Sequence, residues 1–309
     1  MTVDTQARNT LDVACHLNVF AADATGAAFT DALDAMAAAG FTRVVLPPLD
    51  PASIDAGRLR RHLEERGLAP ITIAGGQSAG ADVSSADAGE RAAGAALLRS
   101  IVDLTAALGG DQMNGVPYGP FGPPRGPTSR EAVDRSAREV GAIADYAHEH
   151  GVAMTFEVLN RYETSLLNTA AQAMAFAMSS GSEHLRIHLD TFHMAIEEAD
   201  IDEAVRLALP RLAYLELGQS GRGMLSTGAL DIAGIVRAAL ESGYEGRWGI
   251  EAFSRSILSE PASDMLAIWR APYDDGGELA DDAMRVIQRG WSSSTIGRRA
   301  QRLSRNHPS

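Results

Sequence analysis

Short runs of apolar and β-branched residues alternate along the chain with longer alanine-rich segments. From Leu11 onward the apolar runs have the length of buried strands, and the segments between them have the apolar period of helices. Eight such units follow one another, and this alternation predicts stacked strand–helix units with a parallel sheet. The predicted strands are 11–17, 42–47, 69–75, 111–116, 153–159, 185–190, 212–218 and 247–253.

Several units repeat one pattern, in which a helix ends at a glycine and a strand follows at once, as in AAAGFTRVVL and HEHGVAMTF. A glycine just beyond a helix adopts the left-handed C-cap conformation without strain. Eight repeats without a G-x-G-x-x-G turn favour a single (β/α)8 TIM barrel over an open doubly wound sheet. The predicted helices are 26–39, 53–67, 86–109, 128–150, 168–181, 200–209, 231–242 and 263–289.

One barrel domain is expected over residues 1–290, followed by a polar C-terminal tail over 291–309 that is expected to be solvated and partly disordered. Two loops, 74–89 and 114–129, are rich in glycine, proline and serine. Both follow predicted strands. A barrel would therefore place them over its C-terminal face, where TIM barrels carry their active sites.

Composition narrows the classes of function. The net charge of −13 disfavours nucleic acid and anionic membrane as partners. No apolar run approaches the roughly 20 residues that span a bilayer. The single cysteine, Cys15, excludes an internal disulfide framework, and the first residues lack the pattern of a signal peptide, so a cytoplasmic location is expected.

Carboxylates stand near the ends of the fifth to eighth predicted strands. Consecutive strand ends in a closed parallel barrel lie about 5 Å apart, so the four groups can converge on one point. A cluster of anions repels itself, whereas a divalent ion such as Mg²⁺ or Mn²⁺ binds carboxylate oxygens. The pattern thus favours a metal site over four separate hydrogen-bonded acids. The residues are Glu157, Asp190, Glu216 and Glu251.

Other polar residues lie close to these acids in sequence. His193 follows Asp190 by three residues, and Arg222 follows the seventh strand. A guanidinium and an imidazole facing a metal suit a polyhydroxylated ligand or a developing enediolate. His188 precedes Asp190 on the same predicted strand and is interpreted as a packed strand histidine.

Four segments of the chain resemble the ketose 3-epimerases, the D-tagatose and D-allulose 3-epimerase family of the xylose isomerase-like barrels. They are FEVLNRYETSLLNT (156–169), HLDTFHMAIEEAD (188–200), RGMLSTGALDI (222–232) and SGYEGRWGIEAF (242–253).

The resemblance implies particular site residues. Glu157, Asp190 and Glu251 would be metal ligands, and Glu157 and Glu251 would also be the acid/base pair. Contacts to the sugar oxygens would come from Glu163, His193 and Arg222.

The resemblance also implies a reaction: C3 epimerisation of a free ketose through a cis-enediolate, with Mn²⁺ or Mg²⁺ as cofactor and Co²⁺ as a further candidate. Its only other implied partner is a second copy of the chain, in a dimer or tetramer. Two alternatives stay open. One is a metal-dependent lyase or deglycosidase subunit that acts on 3-oxo sugars or glycosides and needs a second subunit. The other is a non-catalytic carbohydrate-binding barrel.

Glu216 departs from the family pattern, which has a histidine as the remaining metal ligand at this position. Gln219 likewise replaces a family glutamate. A fourth carboxylate should favour hard, oxygen-preferring ions and weaken the Lewis acidity of the metal. Alternatively, Glu216 stays protonated or pairs with Arg222, and the metal is bound by three protein groups and water.

Overall fold

The computed structural model describes residues 11–77 and 80–306. Eight parallel strands hydrogen-bond in sequence order, and the first also pairs with the eighth, so the sheet closes into a barrel. The predicted (β/α)8 TIM barrel is confirmed. The strands are β1 (Val13–His16), β2 (Arg43–Val45), β3 (Ala69–Ala74), β4 (Gln112–Gly115), β5 (Ala153–Val158), β6 (Arg186–Asp190), β7 (Leu212–Leu217) and β8 (Arg247–Ile250).

Each strand is followed by at least one helix, and most helices begin at an Asp, Ser or Thr that accepts a hydrogen bond from the first turn. None of the described helices combines the length with the apolar character that a membrane span requires. The helices are α1 (Gly26–Ala38), α2 (Ala56–Glu64), α3 (Ala88–Ala107), α4 (Arg130–Glu149), α5 (Ala170–Ser179), α6 (Thr191–Glu197), α7 (Ile201–Ala208), α8 (Ile232–Glu241), α9 (Glu260–Met265), α10 (Gly276–Ser293) and α11 (Thr295–Asn306).

Three regions differ from the sequence prediction. The single helix predicted over 263–289 is wrong, because α9 ends at Met265 and α10 begins only at Gly276. Pro272 lies in the intervening loop, and proline has no backbone N–H to continue a helix. In addition, α6 begins directly after β6, where no helix was predicted. Helix α11 occupies most of the segment predicted as a polar tail.

Apolar side chains fill the barrel on both sides of the sheet. A small cluster inside the barrel is separate from the larger core between the strands and the helices. The inner cluster comprises Ala14, Val45, Ile71 and Tyr214, with Ile73 against it. Above Tyr214, towards the C-terminal strand ends, the inward-facing residues change from apolar to charged.

Candidate active site

A cavity of about 740 Å³ opens at the C-terminal ends of the strands. Its floor is polar and includes His16, Glu157, His188 and Glu251, while its outer wall is largely apolar. Both glycine-rich loops predicted to cover this face contribute to the wall, for example through Gly75 and Phe121. The outer wall also carries exposed aromatic residues, Tyr162 and Trp269.

The four predicted carboxylates converge beneath this cavity. One oxygen each of Glu157, Asp190, Glu216 and Glu251 lies within 4.8 Å of all the others. We call these four residues the carboxylate cluster. Strand register explains the convergence, since Asp190 on β6 pairs with Glu216 on β7, and Glu216 pairs with Gly249 on β8, two residues before Glu251. Asp190 and Glu216 are fully buried.

Glu216 lies between two imidazoles. Its Oε1 is 2.9 Å from Nε2 of His16, and its Oε2 is 3.1 Å from Nε2 of His188. Burial favours the neutral acid, but the charges of His16 and His188 hold the pKa of Glu216 well below its usual range. Glu216 is therefore ionised, and the alternative of a protonated Glu216 is disfavoured.

Gly249 has no side chain, and the carboxylate of Glu216 occupies the space that a side chain would fill. A Cβ at this position would lie 2.5 Å from Oε1 of Glu216 and 2.2 Å from the hydroxyl of Tyr214. Both distances are shorter than any tolerated contact, so a larger residue would displace Glu216 from the cluster. The Tyr214 hydroxyl lies 3.5 Å from the same Oε1 and donates to it.

Arg222 is the guanidinium that faces the carboxylate cluster. Its Nη1 lies 2.8 Å from Oδ2 of Asp190 and 2.5 Å from Oε2 of Glu251, so its ion pairs are with these two residues. The Phe192 ring lies under the guanidinium, 3.8 Å away. Burial alone would lower the pKa of Arg222. The charges of Glu251 and Asp190 outweigh burial and raise this pKa above its usual value. The side chain is thus a fixed cation.

The backbone at Arg222 adopts a conformation that non-glycine residues rarely use, with φ of 54°. Two backbone hydrogen bonds hold it there: Arg222 N–H donates to the Gln219 carbonyl, and Phe253 N–H donates to the Arg222 carbonyl. Strained backbone of this kind concentrates at functional sites. Here it directs the guanidinium toward the carboxylates.

Asp190 and His193 are fixed by helix α6. Asp190 is the N-cap of α6, and its Oδ1 accepts a hydrogen bond from Phe192 N–H at 2.8 Å, which leaves Oδ2 for the cluster. The Asn160 backbone N–H donates to Nδ1 of His193 at 3.1 Å. An amide N–H can only donate, so the ring proton lies on Nε2, which points toward Glu157 at 3.4 Å.

Glu163 completes the rim of the cavity. The Asn160 side chain donates to its Oε1 at 2.8 Å and also lies 2.8 Å from His193 Nδ1. The Gly122 N–H donates to the Glu163 carbonyl, which connects the loop after β4 to the loop after β5. Asn160 thus holds two of the predicted sugar-contacting side chains in one arrangement.

The two predicted acid/base residues have pKa values that shift in opposite directions. Burial is the largest cause that raises the pKa of Glu251 to about 8. Arg222 and His16 act to lower this pKa, while the charges of Glu216 and Glu157 act to raise it. Burial also acts on Glu157, but the charge of His188 and the hydrogen bond of His193 outweigh it and lower its pKa. Burial is therefore the main cause of the high pKa of Glu251, and the neighbouring carboxylates add to it.

The sequence prediction missed the partners of Glu216. His16 was not assigned a role, and His188 was interpreted as a packing residue, yet both line the cavity and contact Glu216. His16 could have been found by applying the strand-end argument to β1, since it is the last residue of that strand. Cys15 is a buried thiol on β1.

The residues present fit a divalent cation. Carboxylate oxygens converge in a buried space, and Oε2 of Glu216 is buried without a hydrogen-bond donor in suitable geometry. Such an orphaned oxygen is costly unless a cation or water completes it. Hard oxygen donors are the ligands that Mg²⁺ and Mn²⁺ prefer.

Comparison with known proteins identifies the family of the chain. A family model described as "Xylose isomerase-like TIM barrel" matches residues 33–289. The chain is 38% identical to an L-ribulose 3-epimerase of Mesorhizobium japonicum over 87% of its length and 90% of that protein's length. The chain belongs to the xylose isomerase-like TIM barrels, and among them to the ketose 3-epimerases.

Two further members support this placement. A ketose 3-epimerase of Arthrobacter globiformis is 38% identical over 81% of this chain and 86% of its own. The crystal structure of a D-allulose 3-epimerase of Methylomonas sp. in complex with D-allulose superposes with a TM-score of 0.86, at 35% identity, covering 91% of this chain and 97% of that one. The family predicted from four sequence segments is confirmed.

Proposed function

We propose that this protein is a metal-dependent ketose 3-epimerase, an isomerase that inverts C3 of a free ketose through a cis-enediolate. The observation that carries the proposal is the carboxylate cluster, in which oxygens from four consecutive strands lie within 4.8 Å of one another below a cavity of about 740 Å³. The similarity to L-ribulose 3-epimerase and ketose 3-epimerase supports the substrate class.

Glu157 and Glu251 are the proposed acid/base pair. Inversion requires that a proton leave C3 on one face of the sugar and return on the other, so the two carboxylates must flank the substrate. Glu157 on β5 and Glu251 after β8 are three strands apart around the barrel, and both line the cavity. One glutamate removes the C3 proton, and the other delivers a proton to the opposite face of the planar enediolate.

Glu157, Asp190 and Glu251 would hold a divalent ion, with Glu216 directed at the same point. When bound, such an ion supplies Lewis acidity that stabilises negative charge on neighbouring substrate oxygens. Mn²⁺ and Mg²⁺ suit the oxygen donors best.

Arg222, His193 and Glu163 are the proposed sugar-binding residues. Arg222 offers a fixed positive charge, and His193 offers an Nε2–H donor, to oxygens that gain charge in the enediolate. Glu163 can accept a hydrogen bond from a sugar hydroxyl through its carboxylate. These groups bind and orient the substrate next to the acid/base pair.

Proton exchange tests the proposal directly. The protein, loaded with Mn²⁺, is incubated in deuterated water with D-fructose, D-tagatose, D-allulose and L-ribulose, and C3 exchange and epimer formation are followed by NMR. Deuterium at C3 of both epimers is expected for at least one ketose. Saturating metal with no exchange on any of these sugars would contradict the proposal.

The size of the cavity favours one second candidate, a lyase that acts on 3-oxo glycosides. The apolar outer wall, with Trp269 exposed at the mouth, leaves room for a substituent beyond a single sugar ring. The same acid/base pair would then form an enolate that expels the aglycone. Release of an aglycone from a 3-oxo glycoside, faster than exchange on any free ketose, would favour the lyase.

A further inference from the structure

Three side chains near the end of β7 could each be a ligand of the proposed ion. Glu216 occupies this position, and two imidazoles lie on either side of it, on β1 and on β6. Any of the three side chains could in principle donate to an ion held by Glu157, Asp190 and Glu251. The inference below rests on the proposed function for the presence of that ion.

Distances separate the carboxylate from the imidazoles. Within the described residues, the set of four ligand atoms that all lie within 4.8 Å of one another consists of the carboxylate cluster. His16 shares this range with Glu216 and Glu251, and His188 shares it with Glu157 and Glu216. An octahedral ion with bonds of about 2.1 Å places its donors about 3 to 4.2 Å apart, so each imidazole reaches only part of the site.

Hydrogen bonding leaves Glu216 available to an ion, although it does not by itself separate the carboxylate from the imidazoles. Oε2 of Glu216 and the Nε2 atoms of His16 and His188 are buried, and none has a partner in hydrogen-bond geometry despite the short separations. The imidazoles therefore do not occupy the Glu216 oxygens as directed donors would. An Oε2 lone pair stays free for a cation, while the rings flank the carboxylate and limit its movement.

We propose that this chain binds its ion through oxygen alone, with Glu157, Asp190, Glu216 and Glu251 as ligands and His16 and His188 as non-ligating neighbours of Glu216. Compared with a site in which an imidazole takes the place of Glu216, an oxygen-only site shifts the relative affinity toward the hard ions Mg²⁺ and Mn²⁺ and away from Co²⁺, Ni²⁺ and Zn²⁺.

Arg222 partly compensates the negative charge of the four carboxylates, and Gln219 does not add to it. Arg222 compensates Asp190 and Glu251 directly, at 2.8 and 2.5 Å. Gln219, three residues after Glu216, adds no charge. Its side chain donates to the carbonyls of Leu225 and Leu230 and accepts from two backbone N–H groups, so it holds the loop after β7. A glutamate at this position would lose both donated bonds and add a fifth carboxylate.

Electron spin-echo envelope modulation of the Mn²⁺-loaded protein tests the ligand set without reference to activity. The wild type is expected to show no directly coordinated ¹⁴N. Glu216→His serves as the matched positive control and is expected to gain such a nitrogen. A coordinated nitrogen in the wild type that disappears in His16→Gln or His188→Gln would overturn the inference.

Competition titrations give a second readout. The ratio of Ni²⁺ affinity to Mn²⁺ affinity is expected to rise at least tenfold in Glu216→His, and an unchanged ratio would show that residue 216 does not ligate. Glu216→Gln, which retains one oxygen donor, should keep the wild-type ratio while binding each ion more weakly. If neither ion binds the wild type, the proposed function fails as well, whereas a nitrogen-ligated Mn²⁺ overturns only this inference.

Discussion

Charged residues gather at both ends of the barrel, but their charges are balanced differently. At the N-terminal end, two arginines and two aspartates form a ring of hydrogen-bonded ion pairs. Arg43 Nε lies 2.9 Å from Asp12, and Arg247 Nη2 lies 2.5 Å from Asp111, and each arginine also contacts the other aspartate. We call these four residues the arginine–aspartate ring. Its formal charges cancel, and each carboxylate is paired.

At the C-terminal end, the carboxylate cluster has one fixed cation among the described residues, Arg222. Its other partners are the imidazoles of His16, His188 and His193, which carry charge only when they are protonated. Imidazoles fill part of the space, and Oε2 of Glu216 lacks a hydrogen bond. The balance of fixed charges distinguishes a structural polar cluster from a functional one. The arginine–aspartate ring is balanced by fixed charges and stabilises the strands, whereas the fixed charges of the carboxylate cluster do not balance, and this favours a bound cation as a further partner.

The largest expected effect is on catalysis at the unbalanced end. Glu157→Gln and Glu251→Gln remove one proton-transfer group each and should lower kcat by about 10³-fold. The measurement is C3 proton exchange on the best ketose at saturating Mn²⁺, with metal content determined for each variant. Loss of activity that full metal occupancy restores would contradict the acid/base assignment.

Arg222 should matter less than the acid/base pair. Arg222→Gln removes the cation that faces developing oxyanion charge, and kcat/KM should fall about 10²-fold. Mn²⁺ affinity should be retained or increased, because the competing cation beside Asp190 and Glu251 is gone. A variant that no longer binds Mn²⁺ would show that Arg222 supports the ligands rather than the substrate.

The fold was largely predictable because eight units repeat one local pattern. Apolar runs, together with glycine C-caps in several units, indicate where the strands begin, and all eight predicted strands overlap the observed ones. The failure over 263–289 has a local cause, since an apolar, helix-compatible period continues across MLAIWR up to Pro272. Tertiary contacts, which periodicity does not reveal, decide that this segment forms the cavity wall instead.

The site was predictable in position but not in pairing. Strand ends of a parallel barrel share one rim, so the carboxylates at four of them had to meet. The direction of His188 and the proximity of His16 depend on the closure of β1 against β8 and on a register shift between β6 and β7. Neither feature can be predicted from the residues next to His16 or His188 in the sequence. Glu216 could therefore be placed on the rim, and His16 could have been placed there by the same strand-end argument applied to β1, but the contact of His188 with Glu216 could not be predicted.

Metal binding should stabilise the protein through the carboxylate cluster alone. Mn²⁺ at 100 times its dissociation constant is expected to add about 2.7 kcal/mol to the free energy of unfolding, because only the folded chain assembles the ligands. Urea denaturation with Mn²⁺ and with chelator measures the increment. Asp190→Asn should lose most of it, whereas Arg247→Gln should retain it in full. An equal increment in Asp190→Asn would place the ion elsewhere.

The smallest expected effect concerns the arginine–aspartate ring, and it should appear in stability rather than in activity. Arg247→Gln leaves Asp111 and Asp12 with one fewer partner each, and since both aspartates are partly exposed, the cost at pH 7 should be about 1–2 kcal/mol. Epimerase activity should stay within about twofold of wild type, because the ring lies at the opposite end of the barrel from the cavity.

The loss of stability caused by Arg247→Gln should become smaller as the pH falls. Partial burial acts to raise the pKa of Asp111, but the hydrogen bond and charge of Arg247, together with Arg43, lower it below its ordinary value of 3.8. A lowered pKa in the folded state stabilises the protein fully above that ordinary value, and the contribution is lost as pH falls through the folded-state pKa. Urea denaturation should therefore show the difference between wild type and Arg247→Gln at pH 7 and a smaller difference near pH 3. A difference that is the same at both pH values would mean that Arg247 acts through packing of its side chain, and the charge balance of the ring would no longer explain its stability.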